Sequence, residues 1–108
     1  MTEKQARALY RILKGAETFD YSRGAGTYEI KEYKVEETEY FLSVVLEVGM
    51  IGDEGTMAQV FCRDRVHLFV GKRGGITYPV TNKRGQWVQR QLSKTTLYGA
   101  MYDQKYGG

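Results

Sequence analysis

Eight basic residues in the C-terminal half of this 108-residue chain, Arg63, Arg65, Lys72, Arg73, Lys83, Arg84, Arg90 and Lys94, have the types and spacing to hold a polyanion. Guanidinium and ammonium groups neutralise phosphates and release condensed counterions, which gives affinity without sequence preference. Four of them fall in two Lys-Arg-Gly triplets, Lys72-Arg73-Gly74 and Lys83-Arg84-Gly85, on either side of the strand-like run Ile76-Thr-Tyr-Pro-Val80. Consecutive turns of an antiparallel meander lie at opposite ends of a sheet, so the triplets would grip separate segments of a partner. Trp87 follows the second triplet and suits base stacking; its competing use is as a core anchor. Nine tyrosines fit either account, because Tyr fills cores and also populates binding surfaces.

Other chemistry is thin. Cys62 and His67 are the one cysteine and the one histidine. They form a Cys–His pair only if Arg63-Asp64 is a tight hairpin that brings both to one face of neighbouring strands. A small buried cysteine and a half-exposed histidine are the commoner outcome. A zinc site needs three or four ligands at suitable spacing, and none is offered. Glu36-Glu37 and Asp53-Glu54 sit in turns without an apolar surround to raise a pKa. Gly24 and Gly26 beside Arg23 lack the Gly-Lys-Ser/Thr and the preceding strand of a phosphate loop. Tyr106-Gly107-Gly108 resembles the tail of ubiquitin-like proteins, but that fold opens with a β-hairpin and this chain opens with a helix. Residues 104–108 read as a flexible tail. No catalytic residue, cofactor or metal site is expected.

Carboxylates offer a second kind of surface. Glu29, Glu32, Glu36, Glu37 and Glu39 crowd one predicted hairpin, and such a row can imitate a nucleic-acid backbone in another protein's basic groove. More often it keeps a sheet edge soluble.

The net charge of +3 hides a division. Up to Gln59 there are seven Lys/Arg against eleven Asp/Glu; from Val60 onward there are nine against two. Such asymmetry concerns partners more than fold, although two halves of one sheet can also neutralise each other. Composition is globular, at 42% hydrophobic and 27% charged. No stretch approaches the ~20 apolar residues needed to cross a bilayer, and the N-terminus reads as a polar helix instead of a signal peptide. One cysteine cannot form an internal disulfide, so a cytoplasmic location is expected, with no membrane partner.

These side chains need a scaffold, and the strongest element of it is Glu39–Val48. Tyr40, Leu42, Val44, Leu46 and Val48 alternate with Glu39, Phe41, Ser43, Val45 and Glu47, which marks the central strand of an antiparallel sheet. Residues 3–14 predict a helix, with Thr2 and Gln5 as a capping box and Gly15 as the stop. Its docking stripe reads as Ala6, Leu9, Tyr10 and Leu13, and Lys4, Arg7, Arg11 and Lys14 form a second, wholly basic stripe. Residues 16–26 read as a loop or arm pinned by Phe19 and Tyr21. A first strand spans 27–36; a β-bulge near Lys31-Glu32 would bring Tyr28, Ile30, Tyr33 and Val35 to one face.

Thr56–Val70 admits either one long strand bent at Asp64 or a hairpin at Arg63-Asp64, and fifteen residues favour a break at Asp64. Pro79 places its strand at an edge or near its end. Asn82–Gly85 either starts a helix or forms a turn opening a strand through Trp87, Gln89 and Gln91. Helix formers from Gln86 to Lys105 predict a C-terminal helix, broken near Ser93–Thr96.

The expected fold is therefore a single α+β domain: a helix, an antiparallel sheet of four or five strands, and a C-terminal helix. This order resembles that of compact α-β-β-β-α RNA-binding domains, in order of elements alone. The function read from the residues is a non-enzymatic nucleic-acid-associated module. The alternative is a small protein-binding adaptor or inhibitor, of the kind found on phages and mobile elements, or a self-assembling subunit that pairs its acidic and basic halves.

Overall fold

The computed structural model describes residues 1–15, 18–21, 26–92 and 97–107. Its elements run α1 (Glu3–Gly15), β1 (Thr18–Tyr21), β2 (Gly26–Glu37), β3 (Phe41–Met50), α2 (Ala58–Phe61), β4 (Asp64–Gly71), β5 (Ile76–Thr81), β6 (Trp87–Gln91) and α3 (Leu97–Tyr106). The six strands form one antiparallel meander in sequence order. The expected α+β architecture is present, with helices at both ends of the chain. The sheet gains one short strand, β1, inside the segment read as a loop. Residues 16, 17 and 22–25 and the side chains of Phe19 and Tyr21 lie outside what is described.

β3 shows why the alternation governs the fold. Leu42, Val44, Leu46 and Val48 are fully buried, and the residues between them are half-buried. Their face meets Val66, Leu68 and Val70 of β4, Tyr78 and Val80 of β5, Ala8 and Ile12 of α1, and Ala100 and Met101 of α3 in one core. Both long helices therefore cover the same face of the sheet. The bulge occurs as expected: the β2–β3 register shifts between Ile30 and Glu32, so Tyr28, Ile30, Tyr33 and Val35 share a side.

Four local readings are corrected. α1 docks through Gln5, Ala8 and Ile12, with Leu9 and Leu13 partly covered, and Tyr10 is 65% exposed. The helix is turned away from the predicted stripe because the buried Gln5 amide donates to Val70 O at 3.2 Å. Thr56–Val70 is neither one strand nor a hairpin: Ala58–Phe61 is a short helix, and β4 starts at Asp64, where the break was placed. Residues 87–91 are strand, so the C-terminal helix is confined to Leu97–Tyr106. Residues 104–106, read as tail, are its last turn, and Gly107 N bonds Asp103 O at 2.8 Å.

The sheet opens between β4 and β5, which pair only at Phe69–Thr77 and Val70–Ile76. Pro79 lies beyond that paired stretch, so its missing N–H costs no ladder bond to β4 although β5 is an inner strand. α3 fills the opening. Tyr78 Oη and Arg90 both reach Asp103 Oδ2, at 2.9 and 3.2 Å, and Lys105 pairs with Asp64 at 3.2 Å. Asp64 raises the Lys105 pKa, and burial followed by the Asp103 bond raises that of Tyr78.

Candidate functional site

The N-terminus of α1 and the β4–β5 turn are tied together by the helix cap. Gln5 N donates to Thr2 Oγ1 at 3.1 Å and Thr2 N donates to Gln5 Oε1 at 2.8 Å, the reciprocal capping box expected from Thr2 and Gln5. Thr2 Oγ1 also donates to Lys72 O at 2.9 Å, and Gln5 reaches Val70 O. Two capping residues thus both start the helix and seat it on the hairpin. Gly74 makes the seating close. Its φ is +87°, and a Cβ there would stand 3.1 Å from Lys4 O. The backbone angle favours glycine, and the close approach leaves little room for a side chain.

This docking joins two basic features that are remote in sequence. Lys4, Arg7, Tyr10 and Arg11 of α1 line a groove of about 680 Å³ with Arg73 and Gly74 of the turn. Glu3 and Ala6 complete the lining, so four cations face one carboxylate. Glu3 is engaged with Arg7 at 2.6 Å, an exposed i,i+4 pair of little energetic weight that leaves the guanidinium available. Among the described residues no ion pair engages Lys4, Arg11 or Arg73.

The other predicted cations are dispersed. Lys83 and Arg84 occupy the β5–β6 turn at the far end of β5, ~20 Å from the first triplet for a six-residue strand. Gly85 there has φ +77°, and Asn82 Oδ1 accepts from Arg84 N and Gln86 N at 2.9 and 3.0 Å. Trp87 beside this turn is 74% exposed, so it does not anchor the core. Arg65 lies on the sheet face opposite the helices, 3.7 Å from Glu47. Arg63 and Arg90 are bound to Asp53 and Asp103. Lys94 lies outside the described residues. Lys72 is exposed on the first turn; Glu37 has its pKa lowered chiefly by the N-terminal ammonium, with Lys72 a minor contributor. The eight described residues of the nine proposed from sequence are thus spread over several parts of the sheet, and Arg73 lies with the α1 stripe.

The carboxylate row divides in the same way. Glu29 pairs with Lys31 at 2.7 Å, Glu36 with Lys34 at 3.1 Å, and Glu37 with the N-terminal ammonium. Glu32 and Glu39 are exposed. By register Glu29, Glu32 and Glu36 share the side away from the helices, whereas Glu37 takes the other parity.

The bulge residue Lys31 organises a second charged cluster. Its Nζ meets Glu29, Asp53 and Glu54 at 2.7, 3.1 and 2.8 Å. These carboxylates raise the Lys31 pKa well beyond its usual range, and Lys31 in turn lowers that of Glu54. Asp53 is 2% exposed; its Oδ1 also takes Arg63 at 3.1 Å, and its Oδ2 has no hydrogen-bond partner among the described residues. The cluster ties the β3–β4 loop to the bulge. Around it Ile51, Met57, Val60 and Phe61 are exposed, the last two at 72%.

The hairpin premise for a Cys62–His67 pair is absent. Cys62 ends α2, and the His67 Nε2 lies 2.7 Å from Ser43 Oγ on the sheet face opposite the helices. Burial lowers the His67 pKa. Among the described residues no group of three or more His, Cys, Asp or Glu is placed to hold a metal ion, and no helix is long and apolar enough to cross a membrane. No family model matches the chain, and no curated protein or solved structure does so either.

Proposed function

We propose that the chain is a non-enzymatic, nucleic-acid-associated module that holds a phosphodiester backbone in the groove between α1 and the β4–β5 turn. The observation that carries this reading is the meeting of Lys4, Arg7 and Arg11 with Arg73 along one groove whose lining carboxylate is already paired. Cations at one-turn intervals on a helix face track a line of phosphates, and the turn adds a cation from a second direction. Binding in this way is charge-driven and tolerant of sequence.

The test is a titration of labelled nucleic acid at ~50 and ~200 mM salt. Four phosphate contacts on a single strand predict a slope of log K against log salt near −3 and a loss of about fiftyfold between these conditions. Arg73→Ala and Arg11→Ala should each weaken binding and make the slope shallower by about one unit. Lys83→Ala and Arg84→Ala, at the other end of the sheet, should leave it unchanged. A salt-independent or absent signal refutes the reading.

One observation favours a protein-binding adaptor as the second reading. The exposed apolar side chains Ile51, Met57, Val60 and Phe61 share one loop and its single helical turn, which buries none of its own residues. That surface, more than the paired glutamates, is where a protein partner would gain contact area. Capture of a defined partner, lost on Phe61→Ser and kept on Arg73→Ala, is the outcome that would favour it.

A further inference from the structure

Resting on the reading of the basic groove, we infer that its ligand is single-stranded nucleic acid, with bases stacked on Tyr10 and Tyr33. Tyr10 belongs to two adjoining grooves. On one side it lines the basic groove with Lys4, Arg7, Arg11 and Arg73. On the other it lines a groove of about 420 Å³ with Leu13, Lys14, Ile30, Lys31, Tyr33 and Glu29. Glu29 borders this groove, but by register its side chain belongs to the sheet face away from the helices, and Lys31 holds its carboxylate at 2.7 Å.

Both rings are open to a ligand, Tyr10 at 65% exposure and Tyr33 at 54%. Neither exposure is accidental in the fold. Docking of α1 through Gln5, Ala8 and Ile12 turns Tyr10 outward, and the bulge at Lys31 sets Tyr33 on the helix-bearing side of β2. Cations therefore lead to an aromatic step and then to a second one, along a helix of 13 residues, ~20 Å in length. A duplex keeps its bases stacked inside and offers nothing to a tyrosine face. A single strand offers both a backbone for the cations and unstacked bases for the rings. Trp87, the more obvious stacking residue in sequence, stands beside the β5–β6 turn, beyond the reach of this track.

The experiment compares single-stranded homopolymers of about 4, 8 and 16 nucleotides, the range of site sizes of small single-strand binders, with a duplex and with inorganic polyphosphate. Tyr10→Leu, Tyr33→Leu, Tyr10→Phe and Tyr33→Phe are measured alongside, with thermal melts to verify folding. Both sites are solvent-exposed, so the variants should melt with the parent. Tighter binding to single strands than to duplex or polyphosphate is expected. Each Leu variant should lose between about fivefold and a hundredfold affinity without a change in salt slope, while the Phe variants retain it. Equal affinity for all three polyanions, or Leu variants that bind like the parent, would overturn the inference and leave the basic-groove reading standing. Absence of binding to every polyanion would overturn both.

Discussion

The side chain of Gln104 pairs with the backbone of His67 as a neighbouring strand would. Its Nε2 donates to His67 O at 2.9 Å and its Oε1 accepts from His67 N at 2.9 Å. β5 has left β4 before this point, so one amide of α3 satisfies both main-chain groups. Gln104→Ala should cost about 1–3 kcal/mol through the two unpaired groups, a fall in Tm of about 4–8 °C for each kcal/mol. Gln104→Glu keeps the acceptor but sets a carboxylate oxygen against His67 O, so it should cost at least as much as Gln104→Ala. Thermal unfolding and exchange of the His67 amide provide the measurement; unchanged protection in Gln104→Ala would contradict the assignment.

Gly74→Ala is expected to act on both stability and the groove. The substitution meets a positive φ and a backbone oxygen of Lys4 at 3.1 Å. It should destabilise by more than the roughly 1 kcal/mol of an ordinary Gly replacement and separate the turn from α1. Gly85→Ala shares the positive φ but meets no atom within 4 Å. It should cost less and leave polyanion binding intact. The two variants compared by denaturant titration and by binding separate backbone strain from helix seating.

Gly49→Ala tests the charged cluster at the bulge. An added Cβ would stand 2.7 Å from Asp53 Oδ2 and 3.0 Å from Arg63 Cδ. Overpacking of this kind costs about 1–3 kcal/mol. In Asp53→Ala the obstructing oxygen is gone, so the two substitutions together should cost less than their sum, by at least about 0.5 kcal/mol in a double-mutant cycle. Strict additivity would show that the carboxylate is not what limits the space.

His67 predicts a pH dependence of defined sign. Burial lowers its pKa in the folded protein, whereas the unfolded chain has the ordinary value near 6.5. Below about pH 6.5 the unfolded state therefore binds more protons, and stability falls with falling pH until the folded pKa is passed. Above that window this residue contributes no slope. His67→Gln should flatten the part of the stability curve that begins near pH 6.5, as read by denaturant midpoints; an unaltered curve would assign it to other groups.

Much of the scaffold was legible because it is written in short-range periods. The alternation from Leu42 to Val48 leaves a single choice of inward face, and the parity change between Ile30 and Tyr33 requires one extra residue, which the structure supplies at Lys31. Thr2 and Gln5 identified the helix start because a capping box uses only residues three apart. Readings failed where a distant contact overrode a local preference. The helix formers after Gln86 left residues 87–91 open between helix and strand, and pairing with β5 makes them strand, while the Gln5 bond to Val70 turns α1 away from its apparent stripe.

What the sequence alone determined is the α+β class, the inward face of the core strands, the bulge, the turn at residues 71–75 and the charge of each segment. All of these depend on residues within a few positions of one another. Which charges meet was decided only by the tertiary structure. Arg63 and Arg90 are bound by Asp53 and Asp103, while Arg73, more than 60 residues from Lys4, Arg7 and Arg11 in sequence, joins those three in one groove. A charged side chain carries no periodic signal for its partner. Its neighbours follow from how a helix sits on a sheet, and here that seating depends on the cap of α1, the glycine at position 74 and the opening between β4 and β5.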